Sequence, residues 1–229
     1  MSITYTYIGH ATHLLDTGRN KILIDPFLAD NPTTNLAPDD VEADAIIISH
    51  GHGDHIGDVI SIAQRTGAKV ISNFEIIDWL GKQGLPESQL HAQHIGGGFR
   101  HDFGYLKLTI AHHGSGLPDG SYGGNPAGLL FTLGETKLYF ACDTALFLEM
   151  QLYGEEGLDL AVLPIGDNFT MGPDDALKAV KLLMPKVAVP CHYNTFPPIQ
   201  QDAQAWKLRV ETETDTKAKV LAPGESLSV

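Results

Sequence analysis

The chain has 229 residues, of which 43% are hydrophobic and 19% are charged, and its formal net charge is −13 at pH 7. These values are typical of an ordinary folded protein and exclude a disordered or fibrous chain. The 15 Lys and Arg residues are scattered, whereas sequence-independent binding of nucleic acid depends on clustered positive charge, so we expect a small-molecule substrate and no nucleic-acid partner.

No targeting or membrane segment is indicated. The opening segment MSITYTYIGH lacks the basic residues and the long apolar core of a secretory signal, and no stretch approaches the ~18 apolar residues of a membrane span. We therefore predict a soluble, cytoplasmic protein with no membrane partner. Cys142 and Cys191 are too few for a disulfide scaffold and are predicted to be buried thiols. The sequence leaves the oligomeric state open.

The first half of the chain begins with short strand patterns and continues with alternating helices and strands. The strand patterns are ITYTYIG, THLLDTG, NKILIDPF and the continuous apolar run ADAIIISH. After them come a predicted helix over DVISIAQRTG, a strand over AKVIS and a helix over NFEIIDWLGKQG. Continuous apolar runs of this length are typical of strands that are buried on both faces.

From about Tyr105 the order of elements repeats. Strands are predicted over YLKLTIAHH, AGLLFTLG, TKLYFACD, LDLAVLPIG and KVAVPCHY, and helices over ALFLEMQLYG and GPDDALKAVKLLMP. No linker divides the chain, so we expect one domain over residues 1–229 with similar halves of about 1–104 and 105–229. The order predicts an α/β (α+β) protein, a four-layer αββα sandwich of two mixed β-sheets with helices on both outer faces.

The string HGHGDH follows the apolar run AIIIS and concentrates metal-binding side chains. His50 and His52 alternate along the chain, so their side chains can point to one place, while Asp54 and His55 can point to a neighbouring one. Imidazole and carboxylate groups suit zinc, iron and manganese, and ligands this close together indicate two ions rather than one.

Further ligands are expected where other apolar strands end. The candidates are His112 and His113 after LTIA, Asp143 after KLYFAC, and His192 after KVAVPC. A lone histidine at a strand end is more often a satisfied polar residue than a ligand. Because α/β proteins gather site residues from the ends of separate strands, the agreement among these positions predicts a metal site.

These residues, taken in their order along the chain, match a known family: the chain resembles the metallo-β-lactamase superfamily. The closer resemblance is to its uncharacterised metal-dependent hydrolases, which are related to the L-ascorbate-6-phosphate lactonases. The segments that carry it are YIGHATHLL, ILIDPFL, HGHGDH, HHGS, CDTAL, LPIGDNFTMGP and VAVPCHYNTFP. They occur in the family's order over nearly the whole chain.

The resemblance implies two divalent metal ions per chain, zinc foremost, with manganese, iron and nickel as alternatives. One ion would be held by His50, His52 and His113. The other would be held by Asp54, His55 and His192, with Asp143 bridging the two. The sequence leaves open whether His112 or His113 is the ligand.

The resemblance also assigns residues around the metal ions. Asp25 would support the histidine loop from behind, because ligand histidines usually need such a partner. His10 would approach the site, and Asp54 and His10 are the candidate catalytic residues.

The expected chemistry is hydrolysis of a small ester, lactone, amide or phosphodiester by a hydroxide that bridges the two metal ions. In this hypothesis Asp54 or a second metal-bound water protonates the leaving group. The alternatives on the same fold are an iron-dependent oxidoreductase, a nuclease and a non-catalytic metal-binding protein. The acidic charge balance disfavours the nuclease.

Overall fold

The computed structural model describes residues 3–229, which form two seven-stranded sheets. The strands of the first sheet are β1 (Thr4–Gly9), β2 (Thr12–Asp16), β3 (Lys21–Ile24), β4 (Ala45–Ile47), β5 (Lys69–Ser72), β6 (Leu90–Ala92) and β14 (Ser226–Ser228). Their spatial order is β14, β1, β2, β3, β4, β5, β6. Strands β3 to β6 pair in parallel, and the pairs of β1 with β2, β2 with β3 and β14 with β1 are antiparallel, so the sheet is mixed.

The second sheet has a comparable arrangement. Its strands are β7 (Gly98–His101), β8 (Gly104–Ile110), β9 (Ala127–Leu133), β10 (Thr136–Phe140), β11 (Leu160–Pro164), β12 (Val187–Cys191) and β13 (Lys217–Ala218), in the spatial order β13, β12, β11, β10, β9, β8, β7. Strands β10 to β13 are parallel, and β7, β8, β9 and β10 are connected by antiparallel pairs.

Helices cover the outer face of each sheet. They are α1 (Gly53–Ile56), α2 (Val59–Thr66), α3 (Phe74–Lys82), α4 (Met150–Gly154), α5 (Pro173–Leu183) and α6 (Ala203–Glu213), with short 3-10 helices at Pro38–Asp40, Glu87–Gln89 and Pro197–Ile199. Within residues 3–229, none of the helices is long and apolar enough to cross a bilayer.

Three apolar clusters define the four layers. Between the sheets, Tyr5 and Ile24 pack with Phe131 and other strand residues. On the outer face of the first sheet, residues of α2 and α3 such as Ile62 share a cluster with strand residues. Trp206 of α6 lies in the corresponding cluster outside the second sheet. The predicted αββα sandwich is therefore confirmed.

Some elements differ from the sequence-based predictions. The short edge strands β6, β7, β13 and β14 and the helix α6 were not predicted. The helix predicted over residues 145–154 begins only at Met150, because the Ala145 N–H donates to the His112 carbonyl and ties the preceding backbone to the neighbouring loop. The chain passes to the second sheet between Ala92 and Gly98, and β14 returns to the first.

The strands that precede the predicted ligands end at a common edge. Because β3 and β4 are parallel, as are β10, β11 and β12, their carboxyl ends lie at the same edge of their sheet. Strand β8 is antiparallel to β9, which is antiparallel to β10, so β8 ends at that edge too. Cys142 and Cys191 lie just inside it as buried, unpaired thiols, as predicted.

Candidate metal centre

The first group of candidate ligands consists of three histidines from two loops. His50 and His52 follow β4, and His113 follows β8. One ring nitrogen of each lies within 4.8 Å of the others, and His50 Nε2 is 2.9 Å from His52 Nδ1. His50 is buried while His52 and His113 are partly exposed, so the group opens to solvent on the side of these two residues.

The second group combines residues from both sheets. His10 follows β1, Asp54 and His55 lie in α1, and His192 follows β12. One ligand atom of each lies within 4.8 Å of the others. The three histidines are buried, whereas the Asp54 side chain is 30% exposed. Asp54 is thus the member of this group that a substrate can reach.

Asp143, which comes after β10, connects the two groups. Its Oδ2 atom lies 3.0 Å from His192 Nε2 and 3.4 Å from His55 Nε2 in the second group. The same oxygen lies 3.5 Å from His113 Nε2 in the first group. One buried carboxylate oxygen therefore faces both sets of candidate ligands.

These separations fit metal coordination. Bonds of ~2.0–2.2 Å at angles of about 90–109° place neighbouring ligand atoms about 2.8–3.6 Å apart. Buried polar atoms normally have hydrogen-bond partners, yet His55 Nε2, His192 Nε2 and Asp143 Oδ1 have none within residues 3–229. His192 Nε2 is near Asp143 Oδ2 but without hydrogen-bond geometry. These atoms fit the donor set of divalent cations.

A hydrogen-bond network behind the site fixes two of the histidines. Asp25, just after β3, accepts hydrogen bonds from Ser49 N–H at 2.7 Å, Ser49 Oγ at 2.5 Å and His55 Nδ1 at 2.9 Å. Since the Ser49 hydroxyl hydrogen is used on Asp25, Ser49 Oγ accepts from His50 Nδ1 at 2.9 Å. The Nε2 atoms of His50 and His55 are thereby left for a metal ion. This is the supporting role expected of Asp25.

The local charges favour a cation at this place. Burial alone would lower the pKa of His55, but the carboxylates of Asp143 and Asp25 raise it well above its usual value. Burial would raise the pKa of Asp143, but His192 and His55 hold it well below its usual range. Nitrogen atoms that attract a proton so strongly are also suited to a metal cation.

His10 holds the Asp54 carboxylate. Burial lowers the pKa of His10 to about 4, so the ring is neutral at pH 7. Because a carboxylate only accepts, His10 Nε2–H donates to Asp54 Oδ2 at 3.0 Å, and His10 Nδ1 accepts from the Thr195 hydroxyl at 2.9 Å. Phe27 and Phe196 pack edge-on against the His10 ring. His10 therefore positions Asp54 from the buried side.

Left-handed backbone occurs where strands meet the site. His10, Asp25, Cys142 and His192 have φ angles of 56°, 45°, 53° and 52°, which non-glycine residues rarely adopt. Strain of this kind is retained where the surrounding structure enforces it, often at functional sites. His10 and His192 are predicted site residues, Cys142 directly precedes Asp143, and Asp25 supports the histidine loop. No sequence pattern signals the left-handed conformation.

The two adjacent histidines after β8 lie in different environments. His113 has its Nε2 atom beside Asp143 and its ring beside His50. His112 is exposed, and its ring contacts Phe147. The backbone geometry thus brings His113, and not His112, to the other candidate ligands.

The different positions of His112 and His113 lead to a prediction. The His113→Ala variant is expected to lose one metal ion per chain, because it removes a ligand of the first group, while His112→Ala keeps its metal content and changes activity by less than about twofold. Elemental analysis of the two variants, purified side by side, would measure this. Equal metal loss in both would contradict the assignment.

The loop after β11 packs tightly against the His192 loop. A Cβ atom on Gly166 would lie 2.2 Å from the His192 carbonyl oxygen, which is backbone and not free to move away. Glycine at this position therefore permits the close approach that holds His192 at the site.

Replacing Gly166 by alanine is expected to lower the free energy of unfolding by about 1–3 kcal/mol, because the added methyl group overpacks this contact. The matched control is Gly116→Ala, where a Cβ would meet no atom within 4 Å, and a change of less than about 0.5 kcal/mol is expected there. Urea unfolding of both variants measures the difference. Equal losses in the two would show that the contact is unimportant.

The sequence did not identify every residue that the structure brings to the site. Ser49 was not identified, and its hydroxyl forms hydrogen bonds with both Asp25 and His50. Thr195 was not identified either, and its hydroxyl bonds to His10, which lies 185 residues away in the sequence. His13, His91 and His101 were not assigned to the site, and the structure places them elsewhere: His13 bonds to Tyr5, and His91 packs against His101.

The sandwich with histidines and aspartates at its strand ends defines a metallo-β-lactamase-fold protein, and comparisons with known proteins agree. The protein-family model for the beta-lactamase superfamily domain matches residues 20–193 of the sequence. A UPF0173 metal-dependent hydrolase from Thermus thermophilus is 49% identical over 221 residues, which is 96% of each chain. A relative of the same description from Pelotomaculum thermopropionicum is 46% identical over 229 residues, covering 98% of this chain and 99% of the relative.

A solved structure is similar over the full length. Igni18, described as a novel metallo hydrolase from the hyperthermophilic archaeon Ignicoccus hospitalis, has a TM-score of 0.91 and 37% identity, with 100% of this chain and 99% of that chain covered. The present chain belongs to the beta-lactamase superfamily and, within it, to the UPF0173 metal-dependent hydrolases. The resemblance seen in the sequence is confirmed at this level, and the protein is a metal-dependent hydrolase.

Proposed function

We propose that this hydrolase uses two divalent metal ions, zinc foremost, to cleave a small ester or lactone, with amides and phosphodiesters as further candidates. The single observation that carries the proposal is the position of Asp143 Oδ2, within 3.5 Å of histidine nitrogens in both ligand groups. A carboxylate oxygen shared in this way is suited to bridging two cations. When bound, two such ions supply hydroxide at neutral pH and polarise the bond to be cleaved.

The proposal assigns the seven ligands predicted from the sequence. The first ion is held by His50, His52 and His113, the second by Asp54, His55 and His192, and Asp143 is shared. Ligand nitrogens and carboxylates of this kind suit zinc, manganese, iron and nickel, and zinc is most often bound by such sets.

Asp54 and His10 have separate roles in this proposal. The Asp54 side chain is 30% exposed, whereas that of Asp143 is 3% exposed, so Asp54 is the carboxylate that can take a proton from the attacking water and pass it to a leaving group. His10 holds Oδ2 of Asp54 through its Nε2–H, which leaves Oδ1 for the second ion and the reacting groups. The buried His10 does not meet the substrate and is a positioning residue.

The test is hydrolysis by protein of defined metal content. The protein is depleted with a chelator and reloaded separately with zinc, manganese, iron and nickel, and each form is assayed with 4-nitrophenyl butyrate, a panel of lactones, an anilide and a phosphodiester. We expect activity to disappear on depletion and to return as the metal content reaches about two ions per chain. Failure of every form to hydrolyse any of these compounds would refute the proposed function.

A further inference from the structure

The segments at the carboxyl ends of the strands that surround the candidate metal centre contain no Lys or Arg. We call these segments the site rim: residues 10–11, 25–36, 48–58, 111–126, 141–149, 165–172 and 192–202. None of the 15 Lys and Arg residues of the chain falls within them. A substrate that enters the centre is therefore surrounded by loops without Lys or Arg.

The cations of the chain are engaged elsewhere. Eight of them form ion pairs with carboxylates that lie outside the site rim: Arg65, Lys82, Lys137, Lys178, Lys181, Lys186, Lys207 and Arg209. Most others lie at strand starts or turns on the opposite edge of the sheets, for example Lys21 and Lys69 at the first residues of β3 and β5.

The N-termini of α2, α3, α5 and α6, which also attract anions, each have a polar or acidic side chain of the chain itself beside them. Asp58 precedes α2, Asn73 caps α3 through the Ile76 N–H, Asp174 and Asp175 lie in the first turn of α5, and Asp202 caps α6 through the Ala205 N–H. A carboxylate at a helix N-terminus offsets the positive end of the helix dipole. These termini are therefore poor sites for an anionic substrate group.

Negative charge is abundant on the site rim. It contains nine carboxylates: Asp25, Asp30, Asp54, Asp58, Asp119, Asp143, Glu149, Asp167 and Asp202. Five of them are exposed, namely Asp30, Asp119, Glu149, Asp167 and Asp202. With nine carboxylates and no cation, even two divalent ions leave the site rim with a net charge of −5. The field around the centre thus remains unfavourable to a second negative group.

Binding a phosphate or carboxylate away from the cleaved bond normally requires Arg, Lys or an open helix N-terminus. The L-ascorbate-6-phosphate lactonases, to which the resembling hydrolases are related, act, by their name, on a phosphorylated lactone, whereas this site rim has no Lys or Arg to hold the phosphate. Resting on the function proposed above, we propose that the substrate of this enzyme carries no negative charge apart from the group attacked, and is an uncharged ester or lactone rather than a phosphorylated or carboxylated one.

Two hydroxamates of equal length test the proposal by binding, without turnover. Butyrohydroxamate and succinic monohydroxamate share the metal-binding group and differ at the far end, which is a methyl group in one and a carboxylate in the other. On the zinc-loaded full chain, calorimetry is expected to give a dissociation constant about tenfold larger for the succinic compound, and the difference should shrink at ~0.5 M salt. Equal or tighter binding of the succinic compound would overturn the proposal.

A charge added to the site rim provides the matched control. Phe169 is 56% exposed in the segment that follows β11, between the loops of Asp143 and His192. Phe169→Lys should bring the two dissociation constants closer by several-fold, while Phe169→Gln should leave their ratio within about twofold of the parent. A ratio that neither salt nor Phe169→Lys alters would mean that charge does not set the preference, and the proposal would fall.

The binding and turnover measurements separate the two proposals. The expected hydroxamate ratio, together with no hydrolysis of any ester, lactone, anilide or phosphodiester of the panel by any metal form, would refute the proposed function while supporting the charge preference of the site. Hydrolysis of the ester together with a reversed hydroxamate ratio would refute only the substrate inference.

Discussion

Replacing Asp143 by asparagine is expected to lower kcat/KM on the order of a thousandfold and to reduce the metal content to one ion or fewer per chain. Asparagine has nearly the same size, so the change removes the negative charge with little effect on packing. The carboxylate that loses its charge has its Oδ2 atom 3.0–3.5 Å from the Nε2 atoms of His55, His113 and His192. Steady-state kinetics and elemental analysis of the purified variant measure both effects.

The control for Asp143→Asn is Asp30→Asn, which removes an exposed carboxylate from the same edge of the sheets. Its activity on an uncharged ester should change by less than about twofold, and its metal content should not change. Circular dichroism of both variants checks that they are folded. An Asp143→Asn variant with full activity and full metal content would contradict the bridging role.

Replacing Asp25 by asparagine is expected to weaken metal binding by about 10–100-fold, although Asp25 is not assigned as a ligand. Its carboxylate accepts two hydrogen bonds from Ser49 and one from His55 Nδ1, and an amide cannot accept all of them. Asparagine tolerates the left-handed φ of 45° at this position, so backbone strain is unchanged. A metal-competition titration with a fluorescent chelator measures the affinity.

Asp58→Asn is the matched control for Asp25→Asn, because Asp58 is also buried and its Oδ2 accepts from the Leu28 and Ala29 backbone N–H groups. Both variants are expected to lose about 1–3 kcal/mol of unfolding free energy through weakened buried hydrogen bonds. Only Asp25→Asn should lose metal affinity. Equal metal affinities in the two variants would show that the Asp25 network serves stability alone.

The layered fold follows from sequence patterns where the strands are apolar and long. The runs around Ile46 and Val162 are buried on both faces, and such runs are recognisable without a structure. Strands β6 and β7 were missed because their segments LHA and GFRH are short and contain no apolar run, and they form only through pairing at the sheet edges. Pairing with a distant partner, as in β14 with β1, leaves no local signal.

The site was predictable to the extent that its side chains follow apolar strands. Parallel strands end at a common edge, so His50, Asp143 and His192 could be grouped from their positions alone. The choice between His112 and His113 depends on the backbone after Ile110, which no local pattern determines. The contact of His10 with Thr195 spans 185 residues of sequence and depends on the packing of the two sheets.

The most direct test of a two-ion centre is anomalous X-ray diffraction from crystals of the zinc-loaded protein, with data collected on both sides of the zinc absorption edge. The account predicts two anomalous peaks per chain, each within ~2.0–2.2 Å of its ligand atoms. One peak should lie among His50, His52 and His113, the other among Asp54, His55 and His192, with Asp143 Oδ2 between them. A single peak, or peaks away from these residues, would contradict it.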